Sequence, residues 1–398
     1  MLHVVVGGQA GSESKGRVTG FLSEAPGSAV LRVGGPNAGH VVYDAAGNRF
    51  ALRQIPVGAV HPETTHLIIG PGSEVDPVVL AREINELEAA GHEIESRLWV
   101  DPSATLLSKI HIDQEVESDL NERLGSTAKG IGAARAARIW RTAKTVGQAM
   151  IHQYIRRPDP RLLADLSVSR QRHLIVEGTQ GYALGLHTDN YPFTTSGDCR
   201  AIDFLAQAGL SPWLAIQHGT FNVHVVTRPY PIRVAGNSGP MHAETSWTEL
   251  GLIEERTTVT NRVRRVGHFD RAQVREAMLA NGYDDRELGA VWLSPSMIDH
   301  LVPAIAGATH WNLANYDEVA INDALNAVVS MGRTLGFGRP VSTFTSVIGT
   351  GPETSLYFGD LLRAAGGSSV STDGLPGHST PPSAPNSRES QREATTTP

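Results

Sequence analysis

Residues 7–17 read Gly7-Gly8-Gln9-Ala10-Gly11-Ser12-Glu13-Ser14-Lys15-Gly16-Arg17, directly after the apolar run Val4-Val5-Val6. A helical stretch, residues 18–22, follows the glycine-rich turn. This order predicts a phosphate-binding loop, because glycines let backbone N–H groups approach phosphate oxygens and the helix N-terminus adds positive potential. The loop is not a Walker A motif, since Ser14 precedes Lys15 where that motif has glycine.

Size and composition limit the classes of protein. The 398 residues can bury one large core or two ordinary ones, and 34 Lys and Arg against 41 Asp and Glu give a net charge of −7, which argues against general nucleic-acid binding. The single cysteine, Cys199, excludes an internal disulfide and fits a reducing compartment. No apolar run reaches the roughly 18–20 residues that span a bilayer, and no signal peptide is evident. We therefore expect a cytoplasmic protein without nucleic-acid or membrane partners.

Short apolar segments alternate with helical ones along most of the chain. Strands are predicted at residues 3–6, 29–33, 67–69, 174–176, 213–216 and 223–226. Asp76 and Pro77 predict a helix start, with Leu80, Ile84 and Leu87 on its buried face. The alternation predicts an α/β fold, a central mostly parallel sheet flanked by helices, over residues 1–365. Residues 366–398 are rich in Ser, Thr, Pro and Gly, which predicts a disordered tail.

Further segments combine small residues with polar side chains. They are Arg32-Val33-Gly34-Gly35-Pro36-Asn37-Ala38-Gly39-His40, Ser126-Thr127-Ala128-Lys129-Gly130-Ile131-Gly132, Glu177-Gly178-Thr179-Gln180-Gly181, Tyr191-Pro192-Phe193-Thr194-Thr195-Ser196, Val259-Thr260-Asn261-Arg262-Val263-Arg264-Arg265 and Ser346-Val347-Ile348-Gly349-Thr350-Gly351-Pro352. With residues 7–17 they resemble, in the same order, the motifs of adenylosuccinate synthetases. The resemblance covers most of residues 3–352 and implies that family's P-loop-related α/β fold.

The resemblance also implies a reaction in two steps. A nucleoside triphosphate phosphorylates O6 of a 6-oxopurine nucleotide while N1 loses its proton, and the amine of L-aspartate then displaces that phosphate. The implied catalytic residues are Ser12, Lys15, His40 and Gln180, with His40 as the general acid. Imidazole suits this role because it titrates near neutral pH. Magnesium would be held at Ser12 and the Gly39 carbonyl.

Three groups of binding residues follow from the resemblance. Those implied for the nucleoside monophosphate are Ser12, Asn37, Ser126, Thr127, Arg141, Gln180, Thr195 and Arg264. Those implied for the triphosphate are Gly11, Glu13, Ser14, Lys15, Gly16, Arg17, Gly39, His40, Asn312, Gly349, Gly351 and Pro352. Those implied for L-aspartate are Val259, Thr260 and Arg262. In the family the arginine matching Arg141 reaches the neighbouring subunit's substrate, which implies a homodimer.

The donor base is the first point at which this sequence departs from the family. Ordinary relatives read guanine with a Lys-x-Asp pair, whereas the most similar stretch here is Thr309-His310-Trp311-Asn312. An aspartate accepts two hydrogen bonds from guanine, and its loss removes the main reason to prefer GTP. We expect ATP or dATP as the phosphate donor.

Ser12 is the second departure, because the family's loop reads G-D-E-G-K-G-K and its aspartate is a catalytic base and metal ligand. Three hypotheses explain a serine there. The short side chain leaves room for a 2-amino group beside N1, as in the bacteriophage 2-aminoadenylosuccinate synthetases, which act on dGMP and lead to diaminopurine in DNA. Alternatively the protein is an ordinary synthetase that acts on IMP, with Glu13 or water as the base. The third hypothesis is a nucleotide-binding module without turnover.

Overall fold

The structure is a computed structural model that describes residues 1–256, 262–284 and 290–366. Val259, Thr260 and nearly all of the predicted tail therefore lie outside the described residues. The strands of the described part are β1 Leu2–Gly7, β2 Ala29–Arg32, β3 His40–Tyr43, β4 Arg49–Leu52, β5 His66–Ile69, β6 Glu74–Val75, β7 Leu98–Val100, β8 Thr105–Leu106, β9 Leu174–Glu177, β10 Phe221–Thr227, β11 Ile232–Arg233, β12 Glu244–Thr245, β13 Arg265–Gly267, β14 Val291–Pro295, β15 Val347–Gly349 and β16 Ser355–Tyr357.

The α-helices surround these strands. In the described ranges they are α1 Lys15–Ser23, α2 Pro77–Ala89, α3 Lys109–Glu117, α4 Leu120–Leu124, α5 Ile131–Trp140, α6 Val146–Ala149, α7 Pro160–Val168, α8 Ala201–Ala208, α9 Trp213–Gln217, α10 Arg271–Ala280, α11 Glu318–Thr334 and α12 Phe358–Ala364. No helix of the described residues has the length and apolar character needed to cross a membrane.

A parallel sheet forms the centre of the molecule, in the order β14-β10-β1-β9-β2-β5-β7. Every neighbouring pair in it is parallel. The interior strand β1, which lies between β10 and β9, is buried along its whole length, as a parallel strand covered on both faces must be. The predicted α/β class with a central parallel sheet is confirmed.

The local predictions were right where turn chemistry supported the apolar pattern. The Asp76 carboxylate accepts hydrogen bonds from the Val78 and Val79 amides, at 2.9 and 3.3 Å, and α2 begins at Pro77 as predicted. Leu80 and two further predicted residues, Ile84 and Leu87, are buried. The predicted strands other than 213–216 also form, within two residues of their expected ends.

The strand predicted at residues 213–216 is wrong, because this segment is helix α9. A run of four apolar residues has no period that separates a strand from one helical turn. Only Ala215 of the helix is buried, and Trp213, Leu214 and Ile216 are exposed. The sequence also failed to predict β7 and β14, which are the two edge strands of the sheet.

Candidate active site

Several of the polar motifs meet at the end of the parallel sheet where the carboxyl ends of its strands lie. The loops that leave the carboxyl ends of β1, β2, β9 and β10 carry Ser12, His40, Gln180 and Arg228. Parallel strands place such loops side by side, and in open α/β sheets this end holds the ligand site.

Glu13 holds the loop between β1 and α1 together. Its buried carboxylate accepts hydrogen bonds from the amides of Gln9 (3.1 Å) and Gly11 (2.7 Å) through Oε1, and from Lys15 Nζ (2.7 Å) through Oε2. Both oxygens are therefore engaged inside the loop, and the side chain is fully buried. Ser12, in contrast, is exposed at the loop surface with φ of 60°.

The start of α1 lies directly against His40. A Cβ added to Gly16 would come within 2.8 Å of the His40 Cβ and 3.2 Å of the Val41 carbonyl oxygen. Glycine at this position therefore allows the helix that carries Lys15 to approach the strand that carries His40.

Arg32, His40 and Glu177 form a buried cluster at the ends of β2 and β9. His40 Nδ1 lies 2.5 Å from Glu177 Oε1, and the Arg32 guanidinium contacts the same carboxylate oxygen. Arg32 also donates to the Ala38 carbonyl at 2.7 Å, and the Val57 amide donates to Glu177 Oε2 at 3.0 Å. The carboxylate thus fixes the orientation of the His40 ring and leaves Nε2 as its outer nitrogen.

Burial and the Arg32 charge lower the pKa of His40 to about 4, although Glu177 opposes them. Burial alone would raise the pKa of Glu177, but Arg32 and His40 more than offset it and hold that pKa at about 2. His40 is therefore neutral at pH 7. An ionised Glu177 can only accept a hydrogen bond and so favours the tautomer with the proton on Nδ1, although Arg32 NH1 also lies 2.9 Å from that nitrogen. A phosphate anion beside the ring favours the imidazolium, which is the form that can donate a proton from Nε2.

Arg228 connects the Ser12 loop to the base of the segment that the resemblance assigns to aspartate. Its buried guanidinium donates to the Ser12 carbonyl at 3.1 Å and pairs with the Glu255 carboxylate. Gln9 fixes the Arg228 backbone from both sides, donating to its carbonyl at 3.1 Å and accepting from its amide at 3.0 Å. Glu255 in turn accepts from the Arg264 amide through its own carbonyl, at 2.8 Å.

The two described arginines of the implied aspartate segment differ in exposure. The Arg262 side chain is 57% exposed and lies 4.0 Å from Glu122. Arg264 is half-buried, and burial lowers the pKa of its guanidinium. Arg264 lies near Arg228 and Glu255, whose charges act on it, whereas Arg262 lies at the surface.

A cleft lies beside these loops, with about 290 Å³ of space when the open solvent at its mouth is included. Of the residues implied for the monophosphate, Asn37, Gln180 and Thr195 line it, and Arg135, Asp198 and Cys199 complete much of its wall. Burial raises the pKa of the Cys199 thiol to about 12, so this side chain is a packed thiol rather than a nucleophile.

Ser126, Thr127 and Arg141 are not among the described residues that line this cleft. Ser126 Oγ accepts from the Ala128 amide at 3.2 Å, and Arg141 is exposed at the end of α5 with φ of 63°. The amides of Gly130 and Gly132, at the start of α5, both donate to Glu115 at 2.7 Å.

The residues implied for the donor base lie together. The Gly307 amide donates to the Thr350 carbonyl at 2.9 Å, which joins the segment ending at Pro352 to the one containing Asn312. The Asn312 side chain is bonded within its own turn, accepting from the Thr309 amide (2.7 Å) and donating to the Gly307 carbonyl (3.1 Å). Asn312 therefore shapes this loop.

The donor set fits a magnesium ion that arrives with the triphosphate. The described residues contain no group of three or more His, Cys, Asp or Glu side chains that could hold a metal. Ser12 Oγ and the Gly39 carbonyl are neutral oxygens in exposed loops. Magnesium accepts such ligands when phosphates and water supply the rest of its shell.

Sequence reasoning missed three side chains of this region. Glu177 lay within a recognised motif, but its contact with His40 depends on the strand order of the sheet. Arg135 was one of three arginines at helical spacing, with no sign of which faces inward. Arg228 lay outside the motifs altogether.

The chain is similar to several known proteins. The family model for adenylosuccinate synthetase matches residues 4–157 and 157–291. N6-succino-2-amino-2'-deoxyadenylate synthase of Cyanophage S-2L is 33% identical over 312 residues, covering 74% of this chain and 84% of that protein. Adenylosuccinate synthetase of Methanococcus vannielii is 30% identical over 360 residues, covering 88% and 96%.

A solved structure is similar over nearly the whole chain. It is the succinoaminodeoxyadenylate synthetase of Cyanophage S-2L, bound to dGMP and to dATP as an energy donor. The match has a TM-score of 0.70 at 28% identity and covers 92% of this chain and 98% of that one.

Proposed function

This chain belongs to the adenylosuccinate synthetase family of C–N ligases, and we propose that it joins L-aspartate to C6 of dGMP at the expense of ATP or dATP. The product would be 2-amino-2'-deoxy-N6-succinyladenylate, a precursor of diaminopurine for DNA. The other products are the nucleoside diphosphate and inorganic phosphate. Small-molecule chemistry of this kind takes place in the cytoplasm, in a host cell if the gene is viral.

One observation carries the choice of dGMP: the loop has no free carboxylate at the purine edge. Position 12 is a serine exposed at the loop surface, and the neighbouring Glu13 carboxylate is bonded to two amides and to Lys15. This arrangement leaves room beside N1 for a 2-amino group and leaves Glu13 no free oxygen to act as a base. The cyanophage relatives support the same substrate.

In the first step the loop amides and Lys15 would stabilise the phosphoryl group as it moves from the donor to O6. The bond to the leaving diphosphate breaks as the O6–P bond forms, and the N1 proton passes through the Ser12 hydroxyl to solvent or to phosphate. His40 would polarise O6 from Nε2, with Glu177 holding Nδ1. Ser12 Oγ and the Gly39 carbonyl would be the protein's ligands for a magnesium ion, which would supply positive charge to the phosphates.

In the second step the aspartate amine attacks C6 and inorganic phosphate leaves. Thr260, Val259 and Arg262 would hold aspartate, since guanidinium groups are natural partners of carboxylates. Gln180 would contact the purine, and Asn37 and Thr195 its monophosphate. Gly349, Gly351, Pro352 and Asn312 would border the donor base.

We also propose a homodimer in which Arg141 reaches the partner's substrate. Arg141 is exposed, and Ile139 and Trp140 beside it are 73% and 79% exposed. A second copy covering this face would bury those apolar side chains. Sedimentation of the protein and of Trp140→Glu tests this, and a wild-type monomer at assay concentration would contradict it.

The substrate is tested by incubating the protein with aspartate, magnesium and ATP or dATP, with dGMP, GMP or IMP in parallel, and weighing the products. We expect a succinyl adduct on dGMP. An adduct on IMP alone would favour an ordinary synthetase, as the similarity to the archaeal enzyme would allow. Absence of aspartate-dependent phosphate release with every substrate would favour a binding module.

A pair of variants tests the role of position 12. Aspartate and asparagine both tolerate the left-handed backbone of this residue, so neither should strain the loop. Ser12→Asp should lose dGMP turnover, and Ser12→Asn separates the effect of size from that of charge. Full dGMP turnover by Ser12→Asp would contradict the steric argument.

A further inference from the structure

Arg135 differs from the other arginines of helix α5. Its side chain turns toward the sheet, where Nε and NH2 lie 2.8 and 3.4 Å from the Glu74 carboxylate oxygens. Arg138, one turn later, is exposed. Burial opposes the charge of Arg135, but Glu74 more than offsets it and raises the guanidinium pKa, so this arginine is a fixed cation inside the protein.

The third nitrogen of Arg135 points to the cleft. NH1 lies so close to Gly197 that a Cβ at this position would overlap it. Gly197 and Arg135 both line the cleft, together with Asn37, Gln180 and Thr195. Within the residues that the structure describes, NH1 has no hydrogen-bond acceptor, in contrast to Nε and NH2.

The described residues that line the cleft include one positive and one negative side chain, Arg135 and Asp198, whereas Asn37, Gln180 and Thr195 are neutral. Both Asp198 oxygens are bonded to His187, to its amide at 2.9 Å and to its ring at 2.7 Å, so Arg135 is the lining residue that can offer a charged donor to an anion. The nearby amides of Gly130 and Gly132, which could otherwise receive an anion, are already bonded to Glu115. A phosphate dianion that entered between Asn37 and Thr195 would meet NH1 as its charged donor.

We propose that Arg135 binds the 5'-phosphate of the nucleoside monophosphate through NH1, within the same chain and independently of any arginine from a partner subunit. This inference rests on the proposed function in one respect, that the cleft takes a purine monophosphate. Glu74 holds the guanidinium plane by its other edge, which keeps NH1 directed into the cleft.

Binding measurements with and without the phosphate test the proposal. Calorimetry would compare dGMP with deoxyguanosine on the wild type and on Arg135→Met/Glu74→Gln, a double variant that leaves no unpaired buried charge. We expect dGMP to bind about 10–100-fold more weakly to the variant, the usual range for a lost hydrogen bond to a charged group. Deoxyguanosine should bind both proteins equally. Arg138→Ala is the matched control and should bind dGMP as the wild type does.

A second variant guards against misfolding of the first. Gly197→Ala places a methyl group in overlap with NH1, which forces the whole guanidinium plane to move away from the cleft while both charges of the Arg135–Glu74 pair are kept. It should show the same loss for dGMP and none for deoxyguanosine. Equal losses for nucleotide and nucleoside, or no loss for either, would overturn the proposal and leave Arg135 as a purely structural ion pair.

The same experiment separates this inference from the choice of substrate. If the protein binds IMP and not dGMP, the comparison is repeated with IMP and inosine. A phosphate-dependent loss with that pair would retain Arg135 as the phosphate ligand while rejecting dGMP as the substrate.

Discussion

Two arginines, Arg32 and Arg228, are among the largest fully buried side chains of the molecule, and each is paired with a glutamate. The partner of Arg32 is Glu177, which is itself fully buried at the end of a sheet strand. The partner of Arg228 is Glu255, whose side chain is 31% exposed, next to the segment implied for aspartate. The first pair orients His40, and the second holds the Ser12 carbonyl.

The difference between these two ion pairs predicts separate roles for them in the proposed reaction. Arg32 and Glu177 belong to the sheet, so the geometry at His40 is set by the core before any ligand binds. Arg228 and Glu255 join the end of the sheet to a surface segment, so aspartate bound at that segment would be connected to the loop that is proposed to face the purine. We expect damage to the first pair to reduce catalysis and damage to the second to reduce the use of aspartate.

The largest expected effect is that of Glu177→Gln. The amide cannot accept Nδ1–H as an anion does, so the His40 ring loses its fixed tautomer and its charge partner. We expect kcat/KM to fall about 10²–10⁴-fold, the usual contribution of a general acid or base. Aspartate-dependent phosphate release measures it.

The matched control for that variant is Glu86→Gln, which makes the same chemical change at an exposed carboxylate of α2 that pairs with Arg82. It should leave kcat/KM within about twofold, because exposed ion pairs contribute little. Equal values of kcat/KM for Glu177→Gln and the wild type would contradict this prediction, because they would show that the orientation of His40 by Glu177 does not contribute to catalysis.

The second effect concerns Arg228 and Glu255. Arg228→Met removes the bond to the Ser12 carbonyl and the partner of Glu255, and breaking a buried pair costs about 3–5 kcal/mol of stability. Glu255→Gln keeps the shape of the pair and should raise KM for aspartate about tenfold with a smaller change in kcat. Steady-state kinetics at varied aspartate measures both constants.

Glu254→Gln is the control for Glu255→Gln, since Glu254 is exposed and pairs with Arg256 on the surface. The double variant Arg228→Met/Glu255→Gln completes a cycle, and the two changes should be strongly non-additive. If the changes in KM for aspartate caused by the two single variants simply add in the double variant, Arg228 and Glu255 act independently, and the proposed connection between the aspartate segment and the Ser12 loop is wrong.

A third prediction tests the contact between α1 and His40. Gly16→Ala should displace His40, because its Cβ would lie 2.8 Å from the His40 Cβ. We expect kcat to fall about 10-fold, as for a small misplacement of a reacting group. Gly20→Ala in the same helix meets only ordinary contacts, at 3.4 Å and beyond, and should keep kcat while stabilising the helix by about 0.5–1 kcal/mol.

The smallest expected effect is on stability rather than on activity, at buried histidines without an acid partner. His3 Nδ1 lies 3.0 Å from His224 Nε2, and the His3 and His173 rings are 4.6 Å apart. Burial lowers the pKa of His173 to about 4 and that of His224 to about 3. These histidines can be compared with His40, because burial lowers their pKa values in the same way while no carboxylate of the described residues opposes it as Glu177 does for His40.

The sign of the pH effect follows from these values. Below pH 6.5 these histidines are protonated in the unfolded chain but stay neutral in the folded protein. The free energy of unfolding therefore falls as the pH falls toward 4, and it is restored at pH 7. At pH 5 the loss is about 2 kcal/mol for each such histidine. In thermal melts between pH 7 and pH 5, the melting temperature should fall less steeply with decreasing pH for His224→Gln than for the wild type. The exposed control His218→Gln should decline as the wild type does, and an unchanged slope in His224→Gln would contradict the assignment.

The sequence predicted what depends on local pattern. The β1–loop–α1 unit, the Asp76 cap and the grouping of Asn37, Gln180 and Thr195 all follow from short motifs or their resemblance. The contacts of Arg228 could not be predicted, because its partners lie 216 and 27 residues away in the chain. Arg135 and Arg138 share one helix and one spacing, and only the packing of α5 against β6 decides which of them faces the cleft.

The salt bridge between Glu13 and Lys15 gives the loop its own counter-ion. Lys15 is already neutralised within the loop, so an approaching anion meets little net attraction from that ammonium group. A single inorganic phosphate must compete with an intramolecular carboxylate, whereas a triphosphate brings several charges and a divalent cation to the exchange. We therefore expect the loop to discriminate between anions by their charge, and free phosphate to be a poor inhibitor.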